Sequence, residues 1–347
     1  QTTGLDRMMA RFVLKWFGSK PSNVLLGAMG LTFVFSMFMS NTATTAMMMS
    51  VMAPVIAGID KKDPFVKALL LGVPFAANVG GMGTIIGSPP NAIAAGLLNE
   101  IHPISFVDWM MLGLPPAILL FFIAWIYLRI AHPSNSETLD LRGLEWETRT
   151  GSLLPMWKRI LVFPVFMVTV LLWMTGSLHG MPTAVVSFIP ITVFAVTGIL
   201  NVDQVRRLQW DVLILMAGGL SLGIAIQVSG LATWVLSLLP IDSMGLLAIA
   251  FVLAYVTTLL SNFMSNTAAT NILAPLGVAV AVGFEPIVVI PLALGASAAM
   301  CLPISTPPNA IAFATGDMKS TDFLRGGLLM GLIGPGLAAL WVFWMLG

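Results

Sequence analysis

Charge is what this sequence has least of. Only 9% of its 347 residues are Asp, Glu, Lys or Arg, against about 25% in a soluble globular domain, which excludes a water-soluble fold. Sixteen Lys and Arg nearly balance fifteen Asp and Glu, for a net +1, so there is no basic surface for nucleic acid. A single cysteine, Cys301, excludes a disulfide scaffold or a cysteine-based metal site, and His102, His132 and His179 stand too far apart in sequence to suggest a histidine one. What is present is apolar: 58% hydrophobic residues and a mean hydropathy of +0.95. The apolar stretches recur at the roughly 20 residues a spanning helix needs, not as the short alternating strands of an outer-membrane barrel. The expected fold class is an all-α polytopic protein in a lipid bilayer.

Charges punctuate the chain, leaving charge-free runs at 21–59, 68–99, 109–128, 160–202, 212–241, 243–284, 286–316 and 326–347. Gly176, Gly180 and Pro182 split the fourth run into two spans. If 21–59 and 243–284 each enter and leave on one side, all sixteen cations fall on a single face. They are the amphipathic opening (Arg7, Arg11, Lys15, Lys20), Lys61, Lys62 and Lys67, the 129–159 loop, Arg206 and Arg207, and Lys319 with Arg325. The positive-inside rule makes that face cytoplasmic, as in a bacterial inner (plasma) membrane. The other face carries only Glu100, His102, Asp108, His179, Asp242 and Glu285.

Two motifs occur twice, in the same order. Ser40-Asn41-Thr42-Ala43 returns as Ser265-Asn266-Thr267-Ala268, and Ser88-Pro89-Pro90-Asn91-Ala92 as Thr306-Pro307-Pro308-Asn309-Ala310. The topology brings the first copy in from the cytoplasm and the second from outside, an inverted repeat of the kind secondary transporters use. The first repeat, 1–129, reads as an interfacial helix, a re-entrant hairpin 21–59, a broken helix 65–99 and a helix 106–129. A cytoplasmic loop 130–155 follows. The second repeat, 156–347, reads as helices 156–175, 183–200 and 211–226, an interfacial helix 230–239, a re-entrant hairpin 245–281, a broken helix 286–316 and a helix 322–346. The three spans that open the second copy have no counterpart in the first, which predicts about three more upstream of Gln1.

Each motif breaks a helix, and in hydrocarbon the freed backbone groups must line a cavity or meet a ligand. Ser40 and Thr42 suit the cap of a second half-helix, and proline suits a first helical turn while ending what precedes it. Four half-helix N-termini, after Thr42 and Thr267 and at Pro89 and Pro307, then aim partial positive charge and amide protons at one point, which favours an anion. The carbonyl ends of the preceding half-helices favour a small cation. No Asp or Glu lies in any charge-free run; a proton relay needs a titrating group there, whereas neutral oxygens suit sodium. The runs also lack the general base an intramembrane enzyme needs, so the chain reads as a non-enzyme.

These duplicated motifs resemble the divalent anion/sodium symporters, which move dicarboxylates, citrate or sulfate. The resemblance implies a scaffold domain that forms a homodimer and a transport domain that moves as an elevator. It places one Na+ in each repeat, the first on Ser36, Ser40, Asn41 and the backbone around Gly87, the second on Ser261, Ser265, Asn266 and the backbone around Ser305. It places a small dianionic carboxylate (succinate, malate, fumarate or citrate) on Asn41, Thr42, Asn266 and Thr267, with Ser88, Thr306 and Pro307 lining the pocket. Ser261 and Ser305 depart from the threonine and alanine expected of the family. Two full Ser-Asn-Thr tips resemble the carboxylate-transporting pattern of that family more than the sulfate one. The alternatives are a sodium-independent exchanger, a sulfate transporter and, further off, an anion channel. Met47 to Met49 and the glycines of 326–336 read as packing. The loop acids Asp60, Asp63, Glu137, Asp140, Glu145 and Glu147 read as a solvated face.

Overall fold

The computed structural model describes residues 16–99, 101–141, 155–206, 210–231 and 244–347, with Ala10, Leu14, Leu208 and Trp234. Most of both expected interfacial segments, Glu100, Arg207, Asp242 and the 142–154 stretch lie outside the described residues.

Every element among the described residues is helical. A helix pair, α1 (Pro21–Ser36) and α2 (Asn41–Ala57), precedes α3 (Phe65–Gly80), which tightens into a 3-10 turn at Gly81–Gly83. The backbone then unwinds until α4 (Pro89–Leu98), and α5 (Phe106–Ala131) follows. Next come α6 (Met156–Met174), α7 (Gly176–His179), α8 (Thr183–Val196), α9 (Val202–Arg206) and α10 (Trp210–Val228). The pattern then repeats: the pair α11 (Leu246–Ser261) and α12 (Asn266–Val280), α13 (Glu285–Ser297), α14 (Pro307–Phe313) and α15 (Ser320–Leu346). The α8 helix ends before the expected 200 because Gly198 takes a φ of 63°, the left-handed conformation that terminates helices. By length and composition, four helices suit a membrane crossing: Phe65–Gly83, Phe106–Ala131, Met156–Met174 and Ser320–Leu346. The protein is an integral membrane protein.

The two copies pack by the same pairings. The α1 helix lies on α3 as α11 lies on α13, α2 on α3 as α12 on α13, and α3 on α5 as α13 on α15. The short halves cross over: α4 packs on α12 and α13 of the second copy, and α14 on α2 and α3 of the first. This exchange buries α3 and α13 almost completely, and makes the two unwound stretches the centre of the molecule. By contrast α6 and α8 bury only Val165, Thr169 and Val186, leaving apolar faces of the kind that meet lipid or protein.

An ion pair and a histidine–carboxylate contact tie the copies together near the ends of the long helices. Lys67 Nζ in α3 lies 2.8 Å from Asp322 Oδ1 in α15, and His102 Nε2 lies 3.1 Å from Glu285 Oε2 at the start of α13. The expectation of a solvated face fails for Asp63, which is buried. Its carboxylate accepts from Phe65 N at 2.9 Å, Asn135 N at 3.0 Å and Ser134 Oγ at 3.2 Å, so it caps α3 and ties down the segment after α5. The glycines of α15 do pack closely: a Cβ on Gly327 would overlap Met300 O and Cys301 Cα.

Candidate substrate and cation site

Helix capping builds each tip from its own sequence. Ser40 Oγ accepts from Ala43 N at 3.2 Å and Ser265 Oγ from Ala268 N at 3.1 Å, so α2 and α12 start alike. Among the described residues, the backbone N–H groups of Asn41, Thr42, Asn266 and Thr267 have no acceptor, nor do the Thr42 and Thr267 hydroxyls have a partner. Those are the donors available to an anion. The α4 and α14 helices contribute differently from the sequence expectation. Each opens on two prolines, which have no N–H, and the next amide is taken: Asn91 N donates to Ser88 O at 3.1 Å and Asn309 N to Thr306 Oγ1 at 3.3 Å. Those two ends therefore offer a dipole and the Ser88 and Thr306 hydroxyls, not amide protons.

Asn41 folds back from the first tip toward the unwound stretch. Ser36 Oγ lies 2.6 Å from Asn41 Oδ1, and that oxygen faces three acceptors. With the amide turned over, its nitrogen donates to Gly87 O at 3.1 Å, Ala77 O at 3.2 Å and Ser36 Oγ at 2.6 Å. This close approach needs glycine: a Cβ on Gly81 would lie 2.5 Å from Asn41 Oδ1, and one on Gly87 would lie 2.5 Å from Gly81 O. In the second copy the corresponding atoms, Ser261 Oγ and Asn266 Oδ1, are buried without a hydrogen-bond partner. Ser305 Oγ is already engaged, donating to Asn262 Oδ1 at 3.0 Å and accepting from Leu302 N at 3.0 Å. One lone pair of the Ser305 hydroxyl is left, besides the backbone carbonyl, to face a ligand. The same Asn262 Oδ1 accepts from Cys301 N at 2.9 Å.

The asparagine of each proline motif fastens the unwound backbone. Asn91 Nδ2 donates to Gly81 O at 2.8 Å and Thr84 O at 2.7 Å, and Asn309 Nδ2 to Met300 O at 3.1 Å and Leu302 O at 3.0 Å. Both side chains are fully buried. The site reading from sequence omitted them, although their duplication within the motifs was the available signal. Two contacts bridge the copies: Asn78 Nδ2 donates to Thr306 Oγ1 at 3.0 Å, and Ser88 Oγ lies 3.5 Å from Ser297 Oγ. Pro307 is exposed at the start of α14. No charged side chain bonds to any of these groups among the described residues, so helix ends and neutral oxygens set the electrostatics. A cavity of about 620 Å³ opens elsewhere, lined by Met49, Lys61, Lys62, Lys67, His132 and their neighbours.

Paired broken helices around neutral donors and oxygens define a membrane transporter rather than an enzyme. A family model described as citrate transporter (CitMHS) matches residues 1–287. The sodium-dependent dicarboxylate transporter SdcS of Staphylococcus saprophyticus is 31% identical over 376 residues, covering 98% of this chain and 72% of the relative. The protein of the same description from Staphylococcus aureus is 30% identical over 382 residues, covering 99% and 72%. An uncharacterized transporter of Haemophilus influenzae is 32% identical over 357 residues, covering 95% and 74%. The chain belongs to the divalent anion/sodium symporter family, within the citrate-transporter family model.

Proposed function

We propose that this protein carries a small dicarboxylate across the membrane together with sodium. The observation that carries the reading is the doubling of one under-satisfied polar position, the serine and asparagine of each tip. In the first copy Ser36 Oγ and the Ala77 and Gly87 carbonyl oxygens gather around the Asn41 carboxamide, whose two amide protons are too few for all three; in the second, Ser261 Oγ and Asn266 Oδ1 are orphaned at the matching positions. Converging oxygens with too few protons suit a hard cation, and a buried acceptor without a partner is costly unless a ligand meets it. Two sodium ions, one at each cluster, offset the charge of a dianion held by the free amides and hydroxyls of Asn41, Thr42, Asn266 and Thr267. The names of the staphylococcal relatives support both sodium and dicarboxylate.

In this reading 21–59 and 245–281 are re-entrant hairpins, and the interlocked α1 to α5 and α11 to α15 move together as an elevator. The weakly buried α6 and α8, with α10, belong to a scaffold that dimerises, and the Lys/Arg loops are cytoplasmic. Uptake of labelled succinate into proteoliposomes, with and without an inward sodium gradient and with citrate or sulfate as competitors, tests it. We expect sodium-driven accumulation, weakened by Thr42→Ala and by Thr267→Ala. Uptake indifferent to sodium and to both substitutions refutes the site. Stronger competition by citrate than its concentration explains would make citrate the substrate, the reading favoured by the family description.

A further inference from the structure

We infer that Asn78 is a positioning residue that fixes the Thr306 hydroxyl as a hydrogen-bond donor toward the transported anion. The inference rests on the dicarboxylate site proposed above. A threonine hydroxyl has one proton to give and two lone pairs to receive with. At Thr306 both lone pairs are occupied, by Asn78 Nδ2 at 3.0 Å from α3 and by Asn309 N at 3.3 Å within the first turn of α14. The hydroxyl proton therefore points away from both. Among the described residues no atom accepts it, although Thr306 is only 2% exposed. A buried donor without an acceptor is costly, and an anionic oxygen is the group that satisfies it.

Asn78 makes its contact with Thr306 through its amide nitrogen, its Oδ1 being buried without a hydrogen-bond partner among the described residues. The residue is 1% exposed, on the almost completely buried α3, and its amide nitrogen also reaches Asn309 Oδ1 at 3.4 Å. Because Asn309 in turn grips the Met300 and Leu302 carbonyls at 3.1 and 3.0 Å, Asn78 acts from the first copy on the tip of the second. The matching place in the other direction is less decided. Among the described residues Ser88 Oγ meets only Ser297 Oγ, at 3.5 Å, where either oxygen could give the proton, so Ser88 keeps both roles. The two proline-motif hydroxyls thus differ: Thr306 is committed to donate, and Ser88 is not. A carboxylate, which only accepts, is suited to Thr306; a cation, which needs a lone pair, is not.

The test is a double-substitution cycle in proteoliposomes. Asn78→Leu removes the amide at nearly constant volume, and Thr306→Val removes the hydroxyl. Since one hydrogen bond is worth about 1 kcal/mol, Asn78→Leu should raise the KM for succinate roughly fivefold. It should leave the sodium half-saturation concentration and the maximal rate within about twofold, and Thr306→Val should raise KM at least as much. In the Thr306→Val background, Asn78→Leu should add nothing, because it acts through the missing hydroxyl. Penalties that multiply, or a shift in sodium half-saturation instead of KM, overturn the inference while leaving the pocket intact. An unchanged KM in Thr306→Val overturns the inference and removes Thr306 from the pocket. Should Asn78→Leu fail to melt cooperatively in detergent, Asn78→Ser takes its place, with the same required lack of additivity.

Discussion

Replacing Asn91 removes the fastener of the first unwound stretch. Its amide gives two short bonds, 2.8 Å to Gly81 O and 2.7 Å to Thr84 O, inside a fully buried environment. In Asn91→Leu both carbonyls lose their donor while volume is nearly kept, so the cost is desolvation and not a cavity. At about 1–3 kcal/mol for each orphaned buried group, and allowing one of the two carbonyls to find a new partner on relaxation, the loss is about 1–3 kcal/mol. Gly81 and Gly87 pack against each other and against Asn41, so the damage reaches the candidate cation ligands and sodium half-saturation should rise. Asn309→Leu, which frees Met300 O and Leu302 O, should act alike on the second copy. Thermal melting in detergent, followed by tryptophan fluorescence, measures the stability and sodium titration of uptake measures the site. Wild-type melting with wild-type sodium dependence in both variants would refute the fastener argument.

Gly327→Ala should destabilise by about 1–3 kcal/mol, as overpacking does, because its Cβ would overlap Met300 O and Cys301 Cα in backbone that cannot retreat; Gly30→Ala, with open space, is the melting control. His132, in the segment after α5, has its pKa pushed below the ordinary histidine range by burial first and by Lys67 next. Its folded form therefore resists protonation that the unfolded chain accepts, so stability should fall as pH drops through about 6.5. His132→Gln should flatten that slope in a pH series of melting curves, and an unchanged slope would count against it. Lys67→Met and Asp322→Asn, which break a half-exposed pair, should show a coupling of about 1 kcal/mol or less in a double-mutant cycle.

Much of the fold was legible because charge and proline are costly in hydrocarbon. The charge-free runs became α1 to α6, α8 and α10 to α15, and the Ser40, Ser265, Pro89 and Pro307 signals begin α2, α12, α4 and α14. The amide count at the tips was not legible. Counting four N-termini as equivalent ignores that Pro89-Pro90 and Pro307-Pro308 have no protons to offer and that the next amide is absorbed by the local turn. Asp63 was misread for a related reason: a carboxylate between Lys61, Lys62 and Lys67 looks solvated until the segment after α5 folds over it.

The sequence alone determined that the chain lives in a bilayer, that two copies of one unit are present, and where each helix breaks. These are local matters of hydropathy, capping and proline stereochemistry, and the duplicated motifs carry them in plain view. Tertiary structure alone decided that α4 and α14 exchange partners. That exchange sets Thr306 against Asn78 and Ser88 against Ser297, more than 200 residues apart in the chain. Such pairings follow from which buried polar groups can satisfy one another once the helices cross, and no local pattern in the chain specifies them.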